Sequence, residues 1–414
     1  MSLRSAVVAV GDELLLGDVV NGNAAWLGAA LAGLGAPVVH SSMVGDDVEL
    51  VVRALRRAME DADVVVTSGG LGPTVDDLTR DALAAVAGVP LDRVPELERL
   101  LRERFAAFGR TVGVDVPDTV LRQADVPRGA TVVDNPLGSA PGLWLEAGGT
   151  VLLALPGPPH ELAATFSPVV RRAIAERSGG VVRTRTLHCA GAGESEVAAL
   201  VEPVLDLPPQ VRLAYLAGDG LVRVRLTTAA RDADAADAVL APHLEAAAAA
   251  LGGHLWGRDD DTLAGVVLGR LRARGETVAV AESLTAGLLG AALTEPPGSS
   301  AAFRGGVQVY ATDLKASLAG VPADVLVRHG AVSAETAASL ASGVRARLGA
   351  DWGVALTGVA GPDPQEAHPP GTVHAAVVGP GEAGAVRSLR VPGDRTRVRR
   401  LAVSAGLDLL RRRL

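Results

Sequence analysis

The sequence predicts an α/β protein in three parts: a parallel-sheet α/β domain over 1–170, a small α+β module over 171–257, and a second α/β domain over 258–414. Three observations predict it. Residues 5 to 170 alternate short apolar runs with helical patterns, as a parallel sheet requires. Between about 171 and 257 two strands flank the turn Gly218-Asp219-Gly220, and an Ala-rich helix follows. From about 258 the strand–helix alternation resumes. With 414 residues, 48% hydrophobic but only 2% aromatic, the chain can fill several cores with Ala, Val and Leu.

Composition also excludes. A net charge of −8 argues against a general nucleic-acid binder. A single cysteine, Cys189, rules out an internal disulfide and a cysteine metal cluster. No signal peptide or apolar run of membrane-spanning length is present, so a cytoplasmic location and no membrane partner are expected.

In the first domain Ala6–Val10 reads as a strand ending at Gly11-Asp12-Glu13, and Asn23–Leu34 as a helix. Pro37–His40 is the next strand, and Asp46 or Asp47 caps a helix carrying Val51, Leu55 and Met59 on one face. Strand Val64–Thr67 runs into Ser68-Gly69-Gly70-Leu71-Gly72-Pro73-Thr74, with Asp76 and Asp77 opening a helix. Such a turn lets backbone amides approach an anion, and it reads equally as a plain tight turn. A side chain at Gly70 is expected to block that approach while leaving the fold intact. Asp134 to Trp144 and Pro156-Gly157-Pro-Pro-His-Glu form further Gly/Pro clusters beside strand Val151–Leu155. Clusters of this kind wall the ligand crevice of open α/β sheets. Asp12, Glu13, Asp76 and Asp77 are candidates for a hard cation or for helix caps. Asparagine is confined to Asn21, Asn23 and Asn135, so each points to a specific hydrogen-bonding task.

In the middle module Thr184–Ala190 is a strand and Glu194–Val204 a helix. Val211–Ala217 and Leu221–Thr228 form the hairpin, Asp232–Leu251 the long helix and His254–Trp256 a last strand. Arg258-Asp-Asp-Asp261 is expected to cap the first helix of the last domain. Strand Thr277–Ala281 then breaks at Glu282-Ser283, and Thr285 to Leu293 reads as a helix, which sets Ser283 at the tip of a turn. Lys315 is the only lysine in the chain. Arginine substitutes for lysine wherever a solvated charge suffices, but a guanidinium cannot shed its proton. A Ser with a Lys base is a known nucleophilic pair. Beyond it, Ser333 caps a long helix, Trp352–Leu356 is a strand ending in Thr357-Gly-Val-Ala-Gly361, Thr372–Val378 is another, and a helix runs from Thr396. Apart from Arg395, the C-terminal arginines read as solvated helix faces.

These motifs together resemble the competence/damage-inducible CinA family across the whole length. V-G-D-E-L-L-L-G-D-V-V-N-G-N, T-S-G-G-L-G-P-T-V-D-D-L-T and L-P-G-P-P-H-E resemble its molybdopterin-binding-like domain. A-E-S-L-T-A-G, G-G-V-Q-V-Y-A-T-D-L-K, G-A-V-S-A-E-T-A and L-T-G-V-A-G-P resemble its C-terminal domain. The resemblance implies a hydrolase of pyridine nucleotide salvage, a nicotinamide-nucleotide amidase converting nicotinamide mononucleotide to nicotinate mononucleotide and ammonia without a cofactor. Ser283 then matches the nucleophile, Lys315 its base and Tyr310 a site residue. Thr285, Ala286, Gly287, Gly305, Gly306, Thr357, Gly358, Gly361 and Arg395 form the substrate-binding set, with the amides near Thr285–Gly287 holding the oxyanion. For the N-terminal domain it implies an ADP-ribose site built on Asn23, Gly69, Gly70, Gly72, Thr74, Asp77, Asn135 and Gly157. A divalent metal at Asp12 and Asp77 and pyrophosphatase activity are implied in some members. A non-enzymatic nucleotide- or pterin-binding role is the remaining alternative, and a homodimer is the expected assembly. Where the family reads A-E-S-C-T-G-G, this chain has Leu284 and Ala286, which are expected to narrow the pocket and shift the turn.

Overall fold

The computed structural model describes residues 3–112, 117–382 and 384–414. Their contacts divide the chain into two compact units, Met1–Arg183 with Thr228–Val239, and Thr184–Thr227 with Leu240–Leu414.

The first unit contains β1 (Ser5–Val10), β2 (Val38–Val44), β3 (Val64–Ser68), the short antiparallel pair β4 (Leu91–Arg93) and β5 (Asp125–Pro127), then β6 (Thr131–Val133), β7 (Gly142–Ala147) and β8 (Thr150–Leu155). The main sheet runs β2-β1-β3-β8-β7-β6. Its first four strands are parallel, and β7 and β6 add an antiparallel edge that the sequence reading did not resolve. Strands β1, β3 and β8 are buried throughout, which explains their unbroken apolar runs. Their side chains divide by alternation: Ala6, Val8 and Val65 pack with Val51 and Leu55 on one face, and Val7, Val64 and Val66 with Leu27 and Leu31 on the other. Asp47 caps the helix Val48–Asp61 by accepting from the Leu50 amide.

The small sheet comprises β9 (Val181–Ala190), β10 (Arg212–Gly218), β11 (Leu221–Ala230) and β12 (Leu255–Arg258), in the order β10-β11-β9-β12. The last helix-rich region holds β13 (Val278–Glu282), β14 (Phe303–Gln308), β15 (Trp352–Gly358), β16 (Thr372–Val378) and β17 (Gly384–Arg390), ordered β14-β13-β15-β16-β17. The first three are parallel and the last two antiparallel, so the carboxyl ends of β14, β13 and β15 share one edge. Helices Leu263–Arg274, Ala334–Leu348 and Arg395–Arg411 cover this sheet.

Several local expectations are corrected. The first helix here is capped by Thr262, whose side chain accepts from Gly265, while Asp261 accepts from the Arg258 amide and orders the preceding turn. The helix after Ser283 begins at Leu288 rather than Thr285. Arg399 and Arg411 are not solvated: Arg411 is buried, and Arg399 binds backbone carbonyls. No helix among the described residues is long and apolar enough to cross a membrane.

Candidate functional site

The shared edge of β14, β13 and β15 assembles a cavity of about 120 Å³ from residues distant in sequence. Strand β13 ends at Glu282, and the Ser283 amide continues its pairing by donating to Leu356 O at 2.9 Å. The chain after β14 is held the same way, with Val309 N donating to Glu282 O at 2.8 Å. Lys315 on the helix Thr312–Ser317 then reaches back across Val309. Its Nζ lies 3.1 Å from Ser283 Oγ and donates to Val309 O at 2.7 Å. Lys315 is 2% exposed and Ser283 7%. Burial pushes the Lys315 ammonium down to about 8, partly offset by the Glu366 carboxylate nearby. An amine near neutrality beside a buried hydroxyl is the arrangement a serine nucleophile and its base need.

The turn after Ser283 is fixed by two groups the sequence reading missed. Buried Glu282 accepts from the amides of Gly287 (3.0 Å), Leu289 (3.0 Å) and Gly290 (2.8 Å). Arg399 donates to Leu284 O at 3.0 Å and to Thr285 O at 2.9 Å. The A-E-S motif itself was the signal for Glu282, since a carboxylate just before a helix start suits its free amides. Nothing local marks Arg399, which arrives from a helix more than a hundred residues away.

This rearranges the oxyanion expectation. Gly287 N is committed to Glu282, and Ala286 N donates to Ser283 O at 3.2 Å. Among the described residues lining the cavity, Leu284, Ala360 and Gly361 are three of those whose amides have no internal acceptor. Ala286 takes φ +48°, so the turn keeps a left-handed residue without glycine's freedom there. Leu284 is 3% exposed and both packs into the core and borders the cavity.

Tyr310, Thr357, Gly358, Gly361 and Arg395 all line this cavity with Ser283 and Lys315. Arg395 donates to Tyr310 OH at 3.0 Å and to Gly361 O at 2.9 Å, and Thr357 Oγ1 donates to Ala331 O at 2.7 Å. Thr285, Ala286 and Gly287, expected to bind substrate, are not among the residues that line the cavity. Gly305 and Gly306 do not reach the cavity: they sit within β14, opposite Ala279 and Val280, where a Cβ on Gly306 would lie 2.4 Å from the Val280 side chain. Smallness at Gly306 serves strand packing, whereas Gly305 faces open space and has φ +133°.

In the other unit the carboxyl ends of the parallel strands border a crevice of about 470 Å³. Asn23, Gly69, Gly70, Gly72, Asp77 and Gly157 line it, and Thr74 and Asn135 do not. Asn23 ties two walls together, donating to Ser68 Oγ (2.7 Å) and Gly157 O (2.8 Å). Asn135 is spent on its own turn, donating to Ala140 O and Glu161 and accepting from Leu137 and Gly138. Buried Arg80 holds the glycine loop through Leu71 O and Gly72 O, burial lowering its pKa. Gly70 has φ +67°, and a Cβ there would lie 2.3 Å from Thr79 Oγ1, so a larger residue would disturb the fold rather than only the crevice.

The metal expectation fails a test of fit. Asp77 accepts from Gly72 N (2.7 Å), Thr74 N (2.8 Å) and Thr74 Oγ1 (2.5 Å), which occupies its carboxylate. Asp12 exchanges hydrogen bonds with the Asp46 backbone and side chain and does not line the crevice. Among the described residues no group of three or more His, Cys, Asp or Glu is arranged to hold a metal ion. Asp77 therefore orders the loop.

Comparison with known proteins matches this architecture part by part. The description "CinA C-terminal domain" fits residues 260–414, "Damage-inducible protein CinA KH domain" residues 184–257, and "Probable molybdopterin binding domain" residues 6–176. A CinA-like protein of Frankia casuarinae is 50% identical over 418 residues, covering 100% of this chain and 96% of that one. This chain belongs to the CinA family. CinA-like proteins of Parasynechococcus marenigrum (44% identical, 99% of this chain and 97% of that one) and Gloeobacter violaceus (43%, 100% and 97%) are similar over the same span. The family match makes the middle module a KH-type fold, which the sequence reading gave only as α+β.

Proposed function

We propose that the C-terminal cavity is the active site of an amidase acting on the carboxamide of nicotinamide mononucleotide. The observation that carries the reading is the buried Ser283–Lys315 pair, with a hydroxyl and an amine of lowered pKa 3.1 Å apart. Neutral Lys315 takes the Ser283 proton as Oγ bonds to the carboxamide carbon. The developing oxyanion is met by the cavity-lining amides of Leu284, Ala360 and Gly361. Lys315 passes its proton to the departing nitrogen, the C–N bond breaks, and ammonia leaves. Water, deprotonated by Lys315, then cleaves the acyl–Oγ bond, and Ser283 recovers a proton. Arg395, exposed at the cavity mouth, keeps further N–H groups for the substrate phosphate. The family resemblance supplies the substrate, and the cofactor-free chemistry follows from the pair itself. The test is ammonia release from nicotinamide mononucleotide by the full chain in the presence of a chelator; absence of turnover counts against the reading.

A ligand role for the N-terminal crevice is proposed alongside it, favoured by the crevice volume and by the unengaged amides of Gly70 and Leu71 at its floor. ADP-ribose is the nucleotide the resemblance suggests. Calorimetric titration of the full chain with ADP-ribose, and with ribose 5-phosphate as its base-free part, tests that role.

A further inference from the structure

The N-terminal crevice contains a polar group that nothing in the protein satisfies. Gln123, on the short 3-10 helix Asp118–Ala124, is 1% exposed and lines the crevice. Neither its Oε1 nor its Nε2 has a hydrogen-bond partner. Buried side-chain amides are ordinarily paired, and leaving both ends open opposes folding. The neighbouring polar groups are otherwise committed: Asn23 to Ser68 and Gly157, Asn135 to its turn, Arg80 to the glycine loop. Gln123 stands apart from them: it borders the crevice, and its side-chain donor and acceptor are both buried and unpaired.

The charge of the crevice narrows what meets it. Glu13, Asp46, Asp76, Asp77 and Glu161 line the walls, and no Lys, Arg or His is among the described residues that do. Asp46 has its pKa raised, by burial first and then by Asp12, Glu13 and Asp76, although the Asp12 amide it accepts opposes the rise. Carboxylates of that sign suit a neutral or donor-rich ring beside them and leave a ligand's phosphate to the unengaged amides of Gly70 and Leu71. A carboxamide pairs bidentately with a heterocycle edge that offers an N–H next to a ring nitrogen or carbonyl.

We infer that Gln123 is the specificity-determining residue of the N-terminal crevice, reading the edge of a neutral nitrogen heterocycle through one accepted and one donated hydrogen bond. The inference rests on the crevice being a ligand site and adds which part of the ligand is read. Purine and pterin rings both carry such an edge, so ADP-ribose and 6-hydroxymethylpterin serve as the two probes, with ribose 5-phosphate as the ring-free control. In the full chain, Gln123→Leu removes both hydrogen-bonding atoms at nearly constant bulk. The expected result is a Kd for the preferred ring-bearing probe raised by roughly tenfold or more, an unchanged Kd for ribose 5-phosphate, and a raised Tm for the unliganded protein because an unpaired buried amide is gone. A side chain serving the fold would move Tm the other way. Gln123→Met, unbranched and of similar length, carries the same readings if Gln123→Leu does not fold. Equal affinity of wild type and variant for the ring-bearing probes overturns the inference, as does a lowered Tm in both variants. Wild-type binding of ribose 5-phosphate with neither ring-bearing probe overturns it while sparing the crevice as a ligand site. Binding of no probe by wild type overturns both.

Discussion

Lys315 shows how far one residue can be read from composition and where structure must add to it. The only lysine in an arginine-rich chain already points to an amine that must titrate. What the sequence does not contain is its environment: Lys315 is buried, with Nζ against Ser283 Oγ and Val309 O and under the influence of the Glu366 carboxylate. That burial sets the direction of two pH effects. The base works as the free amine, so amidase kcat/KM is expected to rise about tenfold per pH unit below about 8 and to level off above it. The folded pKa lies below the unfolded one, so the unfolded chain holds the proton to higher pH. Stability is therefore expected to increase as pH climbs from about 8 toward the ordinary lysine value, with the cost of the buried charge fully present below 8. A pH–rate profile flat between 6 and 8 would show that Lys315 is not the titrating base.

At the scale of elements, the strand–turn–helix after β13 was legible in outline and wrong in register. The apolar run of β13 and the small residues after it predicted a strand and a helix. The helix start moved to Leu288 because Glu282 captures the Gly287, Leu289 and Gly290 amides, which forces Ala286 and Gly287 into left-handed geometry. Local propensity cannot foresee a buried carboxylate outcompeting helix propagation. Strand β17 was missed for a related reason: an edge strand with alternating exposure carries a weaker apolar signal than β1, β3 or β8. Ala286 gives this element its test. An Ala held at φ +48° is strained relative to glycine, so Ala286→Gly is expected to stabilise the protein by about 1 kcal/mol in urea denaturation. Destabilisation by the same change would mean that the turn does not hold Ala286 in left-handed geometry.

For the whole molecule, the organisation into α/β, α+β and α/β segments was readable from alternation alone, whereas what holds the KH-type module to the C-terminal sheet was not. Asp408, 1% exposed, accepts from Arg411 at 2.7 and 2.9 Å and from Arg412 at 2.9 Å. Arg411 donates onward to Leu255 O and Gly253 O, and Arg412 to Ala190 O. These arginines looked like a solvated tail because the carbonyls they bind lie more than 150 residues away. Removing the carboxylate leaves Arg411 buried and unpaired, so Asp408→Ala is expected to cost about 3 kcal/mol or more, read as a lower transition for the unit Thr184–Thr227 with Leu240–Leu414. An unchanged melting curve would refute that role. The central claim for the molecule is that Ser283 and Lys315 act as one catalytic unit, and ammonia release from nicotinamide mononucleotide by four full-length proteins measures it most directly. Wild type, Ser283→Ala, Lys315→Met and the double variant are compared. Met keeps the unbranched stem of the buried lysine and removes the amine. Each single variant is expected to lose on the order of 10³-fold or more in kcat, and the double variant to be little worse than either, because a nucleophile and its base do not contribute additively. A Lys315→Met protein retaining wild-type turnover, or a double variant slower by the product of the two single losses, would contradict the account.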